Sequence, residues 1–170
     1  MKARSSLLLL SLFLFSALSI AQKSVDIDGR LQPILDEFFE ECQKYNIDYH
    51  DKLFQLSTID ISNSLPLEEG NTVLGMVARD SDGNVKDIVI NWAAMLDPEI
   101  LKVVAFHEFA HHFLDYKHTC QDCNEIMAVT NTSYFDLAND WENQVQNLFI
   151  TSPVYLAQET KEPVASMSLQ

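Results

Sequence analysis

Residues 97–114 encode a helix that cannot be left exposed to water. Asp97-Pro98-Glu99 opens it with a side-chain acceptor for the first amides, a proline where no amide bond is forfeited and an acid in the first turn. From there Ile100, Leu101, Val103, Val104, Phe106, Ala110, Phe113 and Leu114 cover much more than a narrow stripe of its circumference. A helix apolar over that much of its surface has to be enclosed by other elements, and a sheet is the expected cover.

The flanking segments supply that cover. Residues 30–45 carry Leu31, Ile34, Leu35, Phe38, Phe39, Cys42 and Tyr45 at spacings of three and four, which predicts an amphipathic helix. Residues 53–61 alternate in part and end at Ser62-Asn63-Ser64-Leu65-Pro66, which predicts a strand and then a loop. Residues 72–79 and 85–92 are β-rich and are joined by Asp80-Ser81-Asp82-Gly83-Asn84, so a hairpin is expected. A further helix is expected over 134–149, from Leu137, Trp141, Val145, Leu148 and Phe149. Together these predict an α+β domain: a small mixed β-sheet packed on the central helix, with N-terminal and C-terminal helices. Residues 151–170 hold two prolines and no sustained period, and a tail or loose extension is expected there.

Composition narrows the function classes. In 170 residues only 4 are Gly and 5 Pro while 47% are apolar, which excludes disordered, collagen-like and solenoid architectures. The formal charge of −14 argues against a nucleic acid partner. No apolar run reaches the roughly 18 to 20 residues of a membrane-spanning helix. The longest, residues 7–21, follows Lys2 and Arg4 and ends in Ser19 and Ala21, the pattern of a secretory signal peptide. Residues 1–21 are therefore expected to be removed after Ala21, leaving an exported domain over 22–150 and the extension 151–170. Of three cysteines, Cys42 sits in an apolar helical pattern and is expected to be buried. Cys120 and Cys123 could bind metal or act as a redox pair, and a local disulfide is the reading taken for an exported chain.

The central helix also carries His107-Glu108-Phe109-Ala110-His111. Residues four apart share a helix face, so two imidazoles can converge on one cation while the intervening glutamate stands beside the water that cation binds. Chance expectation for this pattern is on the order of 0.01 per chain of this composition. A catalytic zinc takes three protein ligands and keeps a fourth position open, so a third ligand is needed. His118 is the leading candidate. On a continuous helix it would lie about 10 Å beyond His111 along the axis, so the helix must stop between Leu114 and Lys117. No glycine marks the stop, and Asp115 is the residue there that best accepts a left-handed conformation. Asp115, Glu125 and Glu142 are the other possible third ligands. His112, about 100° from His111, is expected to face elsewhere. His50 is expected to be exposed.

The run from His107 to His118, followed nine residues later by Met127 in Glu125-Ile126-Met127-Ala128, resembles the metzincin clan of zinc metallopeptidases, and in particular small exported bacterial members. It departs from the pattern where Leu114 and Asp115 stand in place of the glycine and where His118 comes one residue late. The resemblance implies a zincin-like fold with a mixed sheet above an active-site helix and a methionine turn beneath the metal. It implies one Zn2+ held by His107, His111 and His118, with Glu108 as general base and Met127 in the turn. The implied activity is hydrolysis of a peptide or protein through a zinc-bound water, and a monomer is expected. Two other readings stay open: a catalytically inactive zincin-like binding module, and a gluzincin-type metallohydrolase with a Glu as third ligand.

Overall fold

The computed structural model describes residues 24–160 apart from 66, 69, 70 and 132. The expected signal peptide and the last ten residues lie outside the described residues. In chain order the elements are β1 (Asp26–Ile27), α1 (Gln32–Lys44), α2 (His50–Leu53), β2 (Thr58–Ser62), β3 (Leu67–Glu68), β4 (Asn71–Thr72), β5 (Gly75–Arg79) and β6 (Val85–Asn91). A 3-10 turn (Trp92–Leu96) then leads into α3 (Pro98–Phe113), β7 (Cys120–Cys123), β8 (Ala128–Asn131), α4 (Tyr134–Asn139), α5 (Trp141–Ile150) and α6 (Pro153–Glu159). The architecture is mixed α+β, with six helices among the described residues. None of them is long and apolar enough to cross a membrane.

The main sheet has the order β1-β2-β6-β5, with β1, β2 and β6 parallel and β5 antiparallel at one edge. The β5–β6 hairpin is closed by Asp80, whose carboxylate accepts the N–H groups of Asp82 and Asn84 at 2.9 Å each, and by Gly83 at φ +85°. That positive φ is why a glycine sits there. Helix α3 starts as its sequence dictates: Asp97 accepts from the amides of Glu99 (2.8 Å) and Ile100 (3.3 Å), with Pro98 in the first turn.

The core forms where α3 and α1 meet beneath the sheet. Leu31, Leu35, Phe38 and Cys42, at helical spacing on or just before α1, are all fully buried. The Phe38 ring contacts Phe106, Phe109, Phe113 and Phe149 at centroid distances of 5.2–5.8 Å, mostly tilted or edge-on. Burial pushes the Cys42 thiol up to about 12, so it remains a neutral, unreactive packing group.

Four expectations are corrected. Residues 53–61 do not form one strand: the amides of Leu53 and Phe54 bond back to Tyr49 and His50 at the start of the short α2, and strand pairing covers only Thr58–Ser62. A single helical turn is too short to show a period in the sequence. The run 72–79 is interrupted at Val73 and Leu74 between β4 and β5. The helix expected over 134–149 breaks at Asp140 (φ −110°, ψ 24°) into α4 and α5. Finally, part of the expected tail is the ordered helix α6, capped by Ser152 Oγ accepting from Tyr155 N at 3.1 Å and docked on α1 through an edge-on Tyr155–Tyr45 contact. A seven-residue amphipathic segment between two prolines carries too little pattern to be read.

Phe38→Ala removes the ring around which four others pack and is expected to lower stability by about 3–5 kcal/mol, read from the urea midpoint at unchanged m-value.

Candidate metal centre

Helix α3 brings His107 and His111 to one face and then has to stop. The amides of Leu114 and Tyr116 both reach back to Ala110 O, at 3.1 and 3.2 Å, and Asp115 takes φ +58° between them. Asp115 therefore does the work of a helix-ending glycine, at the modest cost that aspartate incurs in this region. Lys52 secures the helix end, with its ammonium 2.7 Å from the Asp115 carboxylate and 3.3 Å from Phe113 O. The chain turned in this way carries His118 back over the helix.

There the three Nε2 atoms converge. His107 and His111 stand 3.0 Å apart, and His118 lies 3.2 Å from each. Their outer nitrogens settle the tautomers: His107 Nδ1–H donates to Ile126 O at 2.6 Å and His111 Nδ1–H to Tyr116 O at 2.8 Å. A carbonyl only accepts, so in the neutral rings both Nε2 atoms carry lone pairs and no proton. Two acceptors at 3.0 Å repel each other unless a cation stands between them.

The donor set could hold a metal ion. Three nitrogens bound near 2.0–2.1 Å at tetrahedral angles stand about 3.3–3.4 Å apart, close to the separations found here. The electrostatics agree with neutral ligands. Burial, with the neighbouring histidines adding to it, holds His107 down to about 4, and burial with His111 lowers His118. The hydrogen bonds to main-chain carbonyls are the outer support that metal-binding histidines need.

Glu108, next along the helix, is 5% exposed and has no hydrogen-bond or ion-pair partner among the described residues. Burial alone pushes its carboxyl up to about 8. It lies directly beneath β5: a Cβ added at Gly75 would stand 2.5 Å from both Glu108 Cγ and Oε1. Only glycine lets the strand come this close. Glu108, the three histidines and Tyr134 line one cleft of about 690 Å³, walled by β5 on one side and β8 on the other.

The other candidates are placed elsewhere. Asp115 pairs with Lys52, Glu125 accepts from Thr119 Oγ1 at 2.9 Å, and Glu142 is exposed. His112 is 5% exposed, and its Nε2 donates to Lys52 O at 2.8 Å on the opposite side of α3. His50 is exposed beside Asp48. Cys120 and Cys123 form a disulfide on β7, two residues beyond His118. Met127 is 2% exposed in the core, while its carbonyl accepts from Thr119 N at 3.0 Å. Sequence reasoning missed Gly75 and the carbonyls of Tyr116 and Ile126. The first had a signal, a glycine inside a β-rich run, whereas main-chain acceptors carry none.

Elemental analysis of the protein loaded with Co2+ or Zn2+ is expected to give one ion per chain, with affinity lowered at least tenfold in His118→Ala. A second expectation concerns the metal-free protein. The unfolded glutamate ionises near 4.5 and the folded one only near 8. The folded state thus holds the extra proton between these values, and stability falls as pH rises through that window. Glu108→Gln removes this slope, so its gain in urea midpoint over the wild type should grow from pH 5 to pH 8.

No protein-family model, curated protein or solved structure matches the chain.

Proposed function

We propose that the protein is an exported zinc-dependent metallopeptidase of zincin-like fold. The observation that carries the reading is the convergence of three Nε2 atoms beside the carboxyl of Glu108, which has no partner among the described residues and lines a cleft with an open strand edge. His107, His111 and His118 would hold the ion and leave its fourth position open. Zinc, when bound, supplies a Lewis acid and lowers the pKa of water in that position.

The chain's own residues account for the rest. Glu108 is the proton acceptor on the cleft floor: in the ionised form that a neighbouring dication would favour, it takes the proton from the attacking water and passes it to the departing amine. Its enclosure beneath Gly75 keeps it from being spent on a competing ion pair. The edge of β5 positions the substrate. Asn91 N donates to Leu74 O at 2.7 Å, so by antiparallel alternation the N–H and C=O groups of Gly75 and Val77 point away from β6. Among the described strands nothing pairs with that edge. An extended peptide can add there, with its carbonyl brought over Glu108. The Cys120–Cys123 disulfide supports an oxidising compartment, in keeping with the expected leader.

The test is a peptide library incubated with the zinc-loaded wild type and with Glu108→Gln, read by mass spectrometry. The variant is expected to keep its zinc and lose at least about 100-fold in turnover. Equal cleavage by both proteins would remove Glu108 as base. Full zinc occupancy with no cleavage of any peptide by the wild type would favour a binding module.

A further inference from the structure

The cleft continues past Glu108 along β5 and reaches Arg79. Alternate residues of a strand point to the same side, so Gly75, Val77 and Arg79 share one face of β5, the face that Gly75 identifies by its contact with Glu108. The irregularity near this end of the hairpin pairs Ala78 with Asp87 and Arg79 with Val85. The additional residue, Lys86, is thus on β6, and the alternation along β5 holds through to Arg79.

Arg79 is set apart by its place in the cleft together with what it lacks. The chain has 25 Asp+Glu against 11 Lys+Arg, so acids to neutralise a cation are plentiful. Arg30, Lys44, Lys52, Lys86 and Lys102 each pair with a carboxylate. Among the described residues Arg79 and Lys117 have no such partner, and of the two only Arg79 lines the cleft. Its Nη1 donates to Gly83 O at 2.9 Å, which ties the guanidinium to the hairpin turn and leaves its other N–H groups for a ligand. Arg79 also borders a hollow of about 790 Å³ just beyond the cleft, to which Lys86 contributes a second cation. Asp80 lies on that hollow too, but its carboxylate is turned into its own loop by the amides of Asp82 and Asn84.

We infer that Arg79 binds a carboxylate of the peptide substrate about four residues from the bond that is cut, an inference that rests on the peptidase reading above. The spacing comes from the strand. Gly75, over Glu108, and Arg79 are four residues apart, about 13 Å at 3.2–3.4 Å per residue, and an extended peptide beside β5 advances by the same amount. A planar guanidinium offers two parallel N–H groups to a carboxylate, which suits it to this role better than a point charge. Substrates with an Asp or Glu at this position, or with a free C-terminus there, are thereby selected from the peptides that can pair with the strand edge.

Matched fluorescent peptides test this: one with Glu four residues to either side of the cleaved bond, its Gln counterpart, and the C-terminal acid and amide of each. Cleavage is measured with the zinc-loaded wild type, Arg79→Gln and Arg79→Lys, and binding by anisotropy on Glu108→Gln and on Glu108→Gln combined with Arg79→Gln. The expected result is an acid preference of about fivefold in both kcat/KM and Kd that Arg79→Gln abolishes and Arg79→Lys keeps in part. Dependence on Glu against Gln, or on acid against amide, tells a side chain from a chain end. Equal handling of acidic and neutral peptides by the wild type, or a preference that survives Arg79→Gln, overturns the inference. Cleavage without acid preference would leave the peptidase reading standing alone. Acid-dependent binding through Arg79 with no cleavage would support the carboxylate subsite and remove the peptidase reading.

Discussion

The geometry of the centre depends on two hydrogen bonds from ring nitrogens to main-chain carbonyls, His107 to Ile126 and His111 to Tyr116. Each puts the proton on Nδ1 and leaves Nε2 as a bare donor atom. Each also draws in a distant piece of chain. Ile126 closes the turn between β7 and β8, and Tyr116 begins the excursion to His118. Tyr116 is itself anchored, since its hydroxyl donates to Leu148 O at 2.8 Å and lies 2.7 Å from Thr151 Oγ1 at the end of α5. The C-terminal helices thus hold the carbonyl that orients a histidine, although they contribute no ligand.

Two backbone positions permit this arrangement. Asp115 accepts a left-handed conformation and ends α3, so that His118 returns instead of continuing along the axis. Gly75 lacks the Cβ that would collide with Glu108, so β5 can lie across the helix as the open edge of the sheet. The result is an unusual electrostatic setting for a chain of formal charge −14. Among the described residues its most buried acid, Glu108, faces no cation, and the cation at the end of the same cleft, Arg79, faces no acid.

Packing explains why such groups are tolerated. Nine residues of α3 are buried, and the aromatic cluster around Phe38 anchors the opposite side of that helix. A helix held so firmly can keep a carboxyl and imidazoles in unfavourable surroundings, because their desolvation is offset by the apolar burial around them.

Much of this was legible in the amino-acid order. The cap Asp97-Pro98-Glu99 and the broad apolar surface determine α3, the four-residue spacing of His107 and His111 determines that they share a face, and Asp80 to Asn84 determines the hairpin. These are local properties, set by backbone geometry and short-range hydrogen bonding. The break at Asp140, the extent of β2 and the helix α6 were not legible, because short elements carry less than one full period of pattern. That His118, and not Asp115, Glu125 or Glu142, stands with His107 and His111 was decided only in three dimensions. It required the chain to reverse at Asp115, Lys52 to take the Asp115 carboxylate and Thr119 to take that of Glu125, contacts that bring together residues up to 63 positions apart. The sequence determined which side chains are candidates for the cluster, while the tertiary structure decided which of them meet, since a side chain's reach is a few ångströms and only packing brings distant segments within it.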